Sequence, residues 1–218
     1  TNISRDHLNF HRSMEQYKQA KLSLFENLGT TATAVINSDE EFSVTISSKT
    51  PARTLSYGIN SPSDVRASRI ESSKKGIQFV LRGGGKKARI ESPLFGKYNV
   101  YNLLAGSAVA IKLGKTLKAI SDDIRNFSGP EGRMDKITHP NGGEVFIDFA
   151  HTPEALKKSL KTLNNLYEKT TVVFGCGGES DKGKRPLMGN IASRFADLPI
   201  VTNDNPKGEE PAKIINQI

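Results

Sequence analysis

Val145-Phe146-Ile147-Asp148-Phe149-Ala150-His151-Thr152-Pro153 is the stretch on which the fold turns. An apolar run rich in β-branched residues reads as a short strand, an aspartate ends it, and a proline at a first-turn position opens a helix. The following residues confirm the helical period, since Leu156, Leu160, Leu163 and Tyr167 fall on one face. Further along, Thr171-Val172-Val173-Phe174 and Pro199-Ile200-Val201 are again apolar runs, each followed by helical text. This alternation predicts an α/β, Rossmann-like arrangement with parallel strands joined by right-handed crossovers. In such sheets ligands bind beyond the carboxyl ends of the strands. Three polar loops should therefore crowd one edge: residues 148–153, 175–185 and 203–207.

Towards the N-terminus, Ser128-Gly129-Pro130-Glu131-Gly132 interrupts all periodicity and predicts a boundary between residues 1–132 and 133–218. Before it stand two expected helices, Asn99 to Leu113 and Leu117 to about Phe127. From Thr33 to about Ser92 the text reads as β, with runs at Ala34-Val35-Ile36, Ser43-Val44-Thr45-Ile46 and Ile77-Gln78-Phe79-Val80-Leu81. Gly83-Gly84-Gly85 before Lys86-Lys87 and Arg89 looks like a hairpin tip. The first clear helix starts at Ser13, an N-cap with Gln16 three residues on, and stops at Gly29. Met14, Tyr17, Leu24, Phe25 and Leu28 share one face of it, and Lys21 falls on that same face.

The 218 residues are 36% hydrophobic, with no apolar run approaching the roughly 18 residues of a membrane span. The opening residues resemble neither a signal nor a transit peptide. A single cysteine, Cys176, excludes an intramolecular disulfide and suits a reducing cytoplasm. The net charge of +8 invites a nucleic-acid reading, but the basic residues are dispersed and no aromatic-interleaved basic motif occurs. Anionic small substrates such as nucleotides account for the same surplus, and no nucleic-acid partner is expected. The chain opens on a motif without methionine and stops within an apparent helix, so it reads as part of something longer.

Several residues are candidates for chemistry. A lysine on an apolar helix face either snorkels to solvent or loses solvation, which lowers its pKa. A neutral Lys21 amine could then add carbon dioxide and become a carbamate, a carboxylate-like metal ligand. His7 and His11 have the i, i+4 spacing of zinc sites, without a third ligand in view. Asp148 suits a ribose hydroxyl and His151 a phosphate; equally, Asp148 could cap the helix begun by Pro153. Gly175-Cys176-Gly177-Gly178 lacks the spacing of a dinucleotide loop, and no Walker A sequence occurs in these residues. Cys176 has no evident base partner and reads as a small loop residue. Glu209-Glu210 most simply favours the N-terminus of the last helix electrostatically.

In order along the chain, these segments resemble the Mur ligase family. Thr1-Asn2-Ile3-Ser4-Arg5-Asp6-His7-Leu8 and Tyr17-Lys18-Gln19-Ala20-Lys21 are similar to signatures of its central ATPase domain, and Asn99-Val100-Tyr101-Asn102 to its adenine-contacting motif. Gly132-Arg133-Met134 and the 148–153 stretch resemble the start of its C-terminal domain. The Gly175 to Gly189 and Asp204-Asn205-Pro206-Lys207 segments are most similar to the diaminopimelate-adding members. The resemblance implies an ATP- and Mg2+-dependent ligase of peptidoglycan synthesis. It would join a diamino acid to UDP-MurNAc-L-Ala-D-Glu through an acyl phosphate, in the cytoplasm. It places His7 and a carbamylated Lys21 at the metal, Asn99 and Asn102 on adenine, Arg133 and His151 at the phosphates and Asp148 at the ribose. Asp204, Asn205, Lys207 and Ser180 would receive the amino acid.

The departures are specific. Lys207 stands where those members usually carry arginine, Ser180 replaces a second arginine, and Phe149 replaces a common tyrosine. Lysine is a point charge and serine carries none, so two planar grips on a carboxylate are weakened. The family's P-loop and UDP-binding domain are not in these residues. The expectation is thus a central-domain part followed by a C-terminal-domain part, inactive alone and completed by an N-terminal segment of the same ligase. Alternatives are a folylpolyglutamate synthase-like ligase and a non-catalytic binding module.

Overall fold

The computed structural model describes residues 2–3, 8–140 and 142–218. The chain divides into two compact units, one containing Ser13–Ser128 and the other Gly129–Ile218 together with the short helix α1 (Leu8–His11).

The first unit begins with α2 (Met14–Glu26), whose cap is the expected one: the Ser13 hydroxyl accepts the Gln16 N–H at 3.2 Å. Strand β1 (Thr33–Asn37), helix α3 (Phe42–Lys49) and strand β2 (Arg53–Gly58) follow, with β1 and β2 parallel. Strands β3 (Val65–Ser73), β4 (Gly76–Gly83) and β5 (Lys86–Ser92) complete a five-stranded sheet in sequential order. β3 runs parallel to β2, while β4 and β5 are antiparallel additions. Gly84 and Gly85, both at positive φ, form the β4–β5 turn that the glycine run predicted. Helices α4 (Lys97–Lys112) and α5 (Leu117–Arg125) cover one sheet face. Val100, Leu104 and Ala108 of α4, with Ile120 and Ile124 of α5, meet Val65, Ile77, Phe79, Leu81 and Ile90 in the main core. On β1 the opposite residues, Ala34 and Ile36, pack with Phe25, Leu28 and Ile46 in a smaller core.

Two expectations fail here. Ser43-Val44-Thr45-Ile46 is helical within α3, not a strand. Its β-branched residues favour strand by only about 1 kcal/mol or less, and the crossover between two parallel strands needs a helix to cover the sheet. Ile46 packs on the β1 face while Val44 is exposed. The buried face of α2 is also different: Leu22 is 2% exposed and Leu24 66%. The two leucines are equivalent in any hydrophobic count, and the position of β1 and α3 decides between them. Lys21 consequently faces solvent.

The second unit contains β6 (Arg133–Thr138), β7 (Glu144–Asp148), α6 (Pro153–Asn164), β8 (Thr171–Phe174), α7 (Lys184–Phe195), β9 (Leu198–Val201) and α8 (Pro211–Ile215). β8 and β9 pair in parallel, as alternation predicts. β7 instead pairs antiparallel with β6, a strand the sequence reading missed because Arg133-Met134-Asp135-Lys136-Ile137-Thr138 is too charged to stand out. Leu156, Leu160, Phe174, Cys176, Met188, Ala192 and Ile214 form the core. Thr152, and not Asp148, caps α6: its hydroxyl accepts the Ala155 N–H, with Pro153 in the first turn.

Candidate functional site

In the first unit, the candidate adenine residues lie together on α4. The Asn99 side-chain amide donates to the Phe95 carbonyl at 2.8 Å, and the Asn102 amide donates to Asn99 Oδ1 at 3.0 Å. Tyr101, between them, donates its hydroxyl to Asp39 Oδ2 at 2.9 Å. Asp39 also accepts the backbone N–H groups of Ile59, Asn60 and Ser61. Burial pushes this carboxyl up, but the three N–H donors outweigh it and hold it well below the usual carboxylate range. Burial and the bond to Asp39 push Tyr101 up. Asp39 thus ties the loop after β2 to α4.

Lys21 sits on α2 with its ammonium 5.5 Å from the Tyr17 ring centroid. The burial that motivated its carbamylation is not present. His7 lies outside the described residues. Magnesium takes oxygen ligands, and an unmodified Lys21 offers none. Among the described residues no group of three or more His, Cys, Asp or Glu could hold a metal ion. These residues do not by themselves make a magnesium site, nor a zinc site around His11.

In the second unit, the end of β7 gathers the expected phosphate and ribose residues. Arg133 is the direct cross-strand partner of Asp148. Its guanidinium lies 4.7 Å from the Phe149 ring centroid, and the His151 ring meets the other aromatic edge-on at 5.0 Å. His151 Nδ1 lies 3.0 Å from the Phe149 carbonyl. A carbonyl can only accept, so Nδ1 is the donor in this contact. Asp148 is oriented by the Ser159 hydroxyl, which donates to it at 2.5 Å. Lys184, in the first turn of α7, donates to the His151 carbonyl at 2.8 Å and so brings a second cation to this edge. Neither Ser159 nor Lys184 was singled out by sequence reasoning.

The other two loops lie against each other. Gly178 donates its N–H to the Asn205 carbonyl at 2.8 Å, and the Lys207 N–H reaches Asn205 Oδ1 at 3.3 Å. Asp204, Asn205 and Lys207 are exposed. Ser180 donates its hydroxyl to the Gly177 carbonyl at 2.7 Å. Glu209 departs from its expected role at the start of α8. Arg185 reaches both its carboxylate oxygens, at 3.1 and 2.9 Å, and Lys182 lies 3.2 Å away. Arg185 and the Glu179 N–H hold the Glu209 carboxyl down to about 2. Cys176 is buried with its Sγ 3.7 Å from Met188 Sδ, and burial pushes the thiol up; a raised thiol opposes nucleophilic chemistry.

Residues 1–110 match the Mur ligase middle domain, and residues 132–218 match the Mur ligase, glutamate ligase domain. The chain belongs to the Mur ligase family. It is 40% identical over 225 residues to the UDP-N-acetylmuramoyl-L-alanyl-D-glutamate--2,6-diaminopimelate ligase of Bacillus velezensis, covering 100% of this chain and 46% of that protein. A solved structure of a ligase of the same name is similar at 36% identity and a TM-score of 0.67, over 99% of this chain and 45% of that one. MurF from Acinetobacter baumannii shares the Mur ligase fold at 20% identity and a TM-score of 0.82, over 99% of this chain and 47% of the other. The chain thus spans about half the length of the Mur ligases it matches.

Proposed function

We propose that this chain is the middle-and-glutamate-ligase part of an ATP-dependent, cytoplasmic ligase of peptidoglycan synthesis that adds a diamino acid, diaminopimelate foremost, to UDP-MurNAc-L-Ala-D-Glu. The observation that carries the reading is the set of groups at the β7 end, Arg133, Asp148, His151 and Lys184, in a chain 40% identical to a diaminopimelate ligase.

In the proposed reaction, a carboxylate oxygen of the dipeptide attacks the γ-phosphorus of ATP, and ADP leaves. The resulting acyl phosphate is attacked at carbon by the amine of the incoming amino acid. The tetrahedral intermediate loses phosphate and a proton to give the amide. The protein's contribution is to hold the reactants in place and to balance charge. Asn102, locked onto Asn99, presents a carboxamide of the kind that pairs with adenine N6 and N7. Asp148 accepts from the ribose, its free rotation removed by Ser159. Arg133, His151 and Lys184 face the phosphates. Phe149, although not a tyrosine, supplies the ring on which Arg133 rests. Magnesium, when bound, would neutralise phosphate charge; His7 and a carbamylated Lys21 are its candidate contacts from this chain.

At the amino-acid side, Asp204 and Asn205 suit the ammonium and Lys207 a carboxylate. Ser180 contributes no charge. The test is a ligase expressed from the full reading frame, assayed for ADP release with the UDP-muramoyl dipeptide and either diaminopimelate or L-lysine. The expected result is a higher kcat/KM with diaminopimelate. Turnover of folate with glutamate instead would move the chain to the folylpolyglutamate branch. For Lys21, intact mass in bicarbonate buffer should show the added mass of one carbon dioxide; its absence in the intact ligase defeats the carbamate.

A further inference from the structure

Arg185 is fully buried, at 0% exposure, in the first turn of α7. A guanidinium taken out of water is costly, and an apolar side chain of similar volume often fills such a place at no loss. Its partners show what the charge does. Nη1 donates to Glu209 Oε2 at 3.1 Å and to Gln217 Oε1 at 2.6 Å; Nη2 donates to Glu209 Oε1 at 2.9 Å and to the Gly177 carbonyl at 3.4 Å. Nε has no hydrogen-bond partner, so the group is spent on a planar, two-pronged grip on Glu209.

Glu209 passes that grip on to the loop between β8 and α7. Its Oε1 accepts the Glu179 N–H at 2.7 Å, and Glu179 Oε1 in return accepts the Gly208 N–H at 3.3 Å. With the Gly178 to Asn205 bond, residues 177–179 and 205–209 are fastened along a seam. Each side of the seam carries a non-glycine residue in the left-handed region, Glu179 at φ 55° and Lys207 at φ 48°. L residues avoid that region unless surrounding bonds over-determine it, and such residues concentrate at functional sites. Lys207 is the cation that the proposed function assigns to the incoming amino acid.

We propose that Arg185 and Glu209 are positioning residues that hold Lys207 in its left-handed conformation and so set the affinity for the carboxylate of the incoming amino acid. This rests on the proposed ligase reading. Neither residue touches substrate. With an arginine absent at position 180, Lys207 is the one cation that the proposed function assigns to that carboxylate, and its direction matters more than it would beside a second grip.

The experiment is a double-mutant cycle in the full-length ligase, with Glu209→Gln, Lys207→Ala and both together, reading KM for diaminopimelate, KM for ATP and kcat. Glu209→Gln should raise the diaminopimelate KM about tenfold with the ATP KM unchanged, and Glu209→Asp should recover part of it. The double variant should match Lys207→Ala alone, because Glu209 acts through Lys207. Should Glu209→Gln fold poorly, Arg185→Lys takes its place; it keeps the charge, loses the two-pronged grip on Glu209 and should raise the diaminopimelate KM with the ATP KM unchanged. Additive effects, an unmoved KM, or equal rises for both substrates overturn the inference while leaving the ligase reading intact. A wild-type ligase that consumes no diamino acid overturns both.

Discussion

The two polar edges of the second unit are built in opposite ways. At the end of β7 the bonds around Asp148 and His151 are short in sequence, and only Lys184 reaches in from 33 positions away. His151 bonds to a carbonyl two residues back, and Ser159 reaches Asp148 across eleven. In the seam between residues 177–179 and 205–209, the partners are 24 to 32 positions apart, from Arg185–Glu209 to Arg185–Gln217. The Asp148–His151 part of the first edge is set by a capped helix following a strand, while Arg133 and Lys184 join it from β6 and α7. The second exists only when α7 and the segment leading into α8 are both in place. Mostly local bonds make the first edge; distant bonds make one that holds a strained residue in a single direction.

The comparison breaks most sharply at Gly178. A Cβ there would lie 1.9 Å from the Pro206 carbonyl oxygen, so Gly178→Ala must part the loops. The expected result is a fall in melting midpoint of roughly 5–10 °C, with the bonds at Asp148 and His151 unchanged by NMR. An unaltered midpoint would mean the seam yields freely.

Acid separates the edges next. The Glu209 carboxyl is held from its ordinary 4.5 down to about 2. A depressed carboxyl contributes its stability above the ordinary value and loses it as pH falls through that window. The Glu179 amide should therefore lose hydrogen-exchange protection between those limits, and Arg185→Met should move the Glu209 titration upward. A Glu209 midpoint at the ordinary value would show the grip to be absent in solution.

The smallest effect sharpens the local edge. Thr152→Ala removes the cap of α6 and should cost about 1 kcal/mol, seen as a lower urea midpoint at unchanged slope. The amino-acid KM should not move. A change there would mean that the two edges are coupled after all.

Particular residues mark how far the sequence could be read. Gly84-Gly85, the Ser13 cap and the proline opening α6 were legible because each acts within a turn of chain. Asn99 with Asn102, and Asp148 with His151, lie near each other because each pair shares a short motif. Lys21 was misplaced because Leu22 and Leu24 compete for burial and only α3 and β1 select between them. Ser43 to Ile46 was misread because a weak strand preference yields to the covering demanded by two parallel strands. Glu209 reads as a helix-end charge in the sequence because its partner Arg185 lies 24 residues away.

The amino-acid order by itself determined the α/β alternation, the β4–β5 turn, the Ser13 cap and the family motifs, all of which rest on hydrogen bonds and periodicities within a few residues. Only the tertiary structure decided which face of α2 is buried, that β7 pairs backwards with β6, and that Arg185 fastens two loops through Glu209. Those outcomes depend on side chains and strands that meet through space, where packing and buried charge outweigh local preferences of a fraction of a kcal/mol.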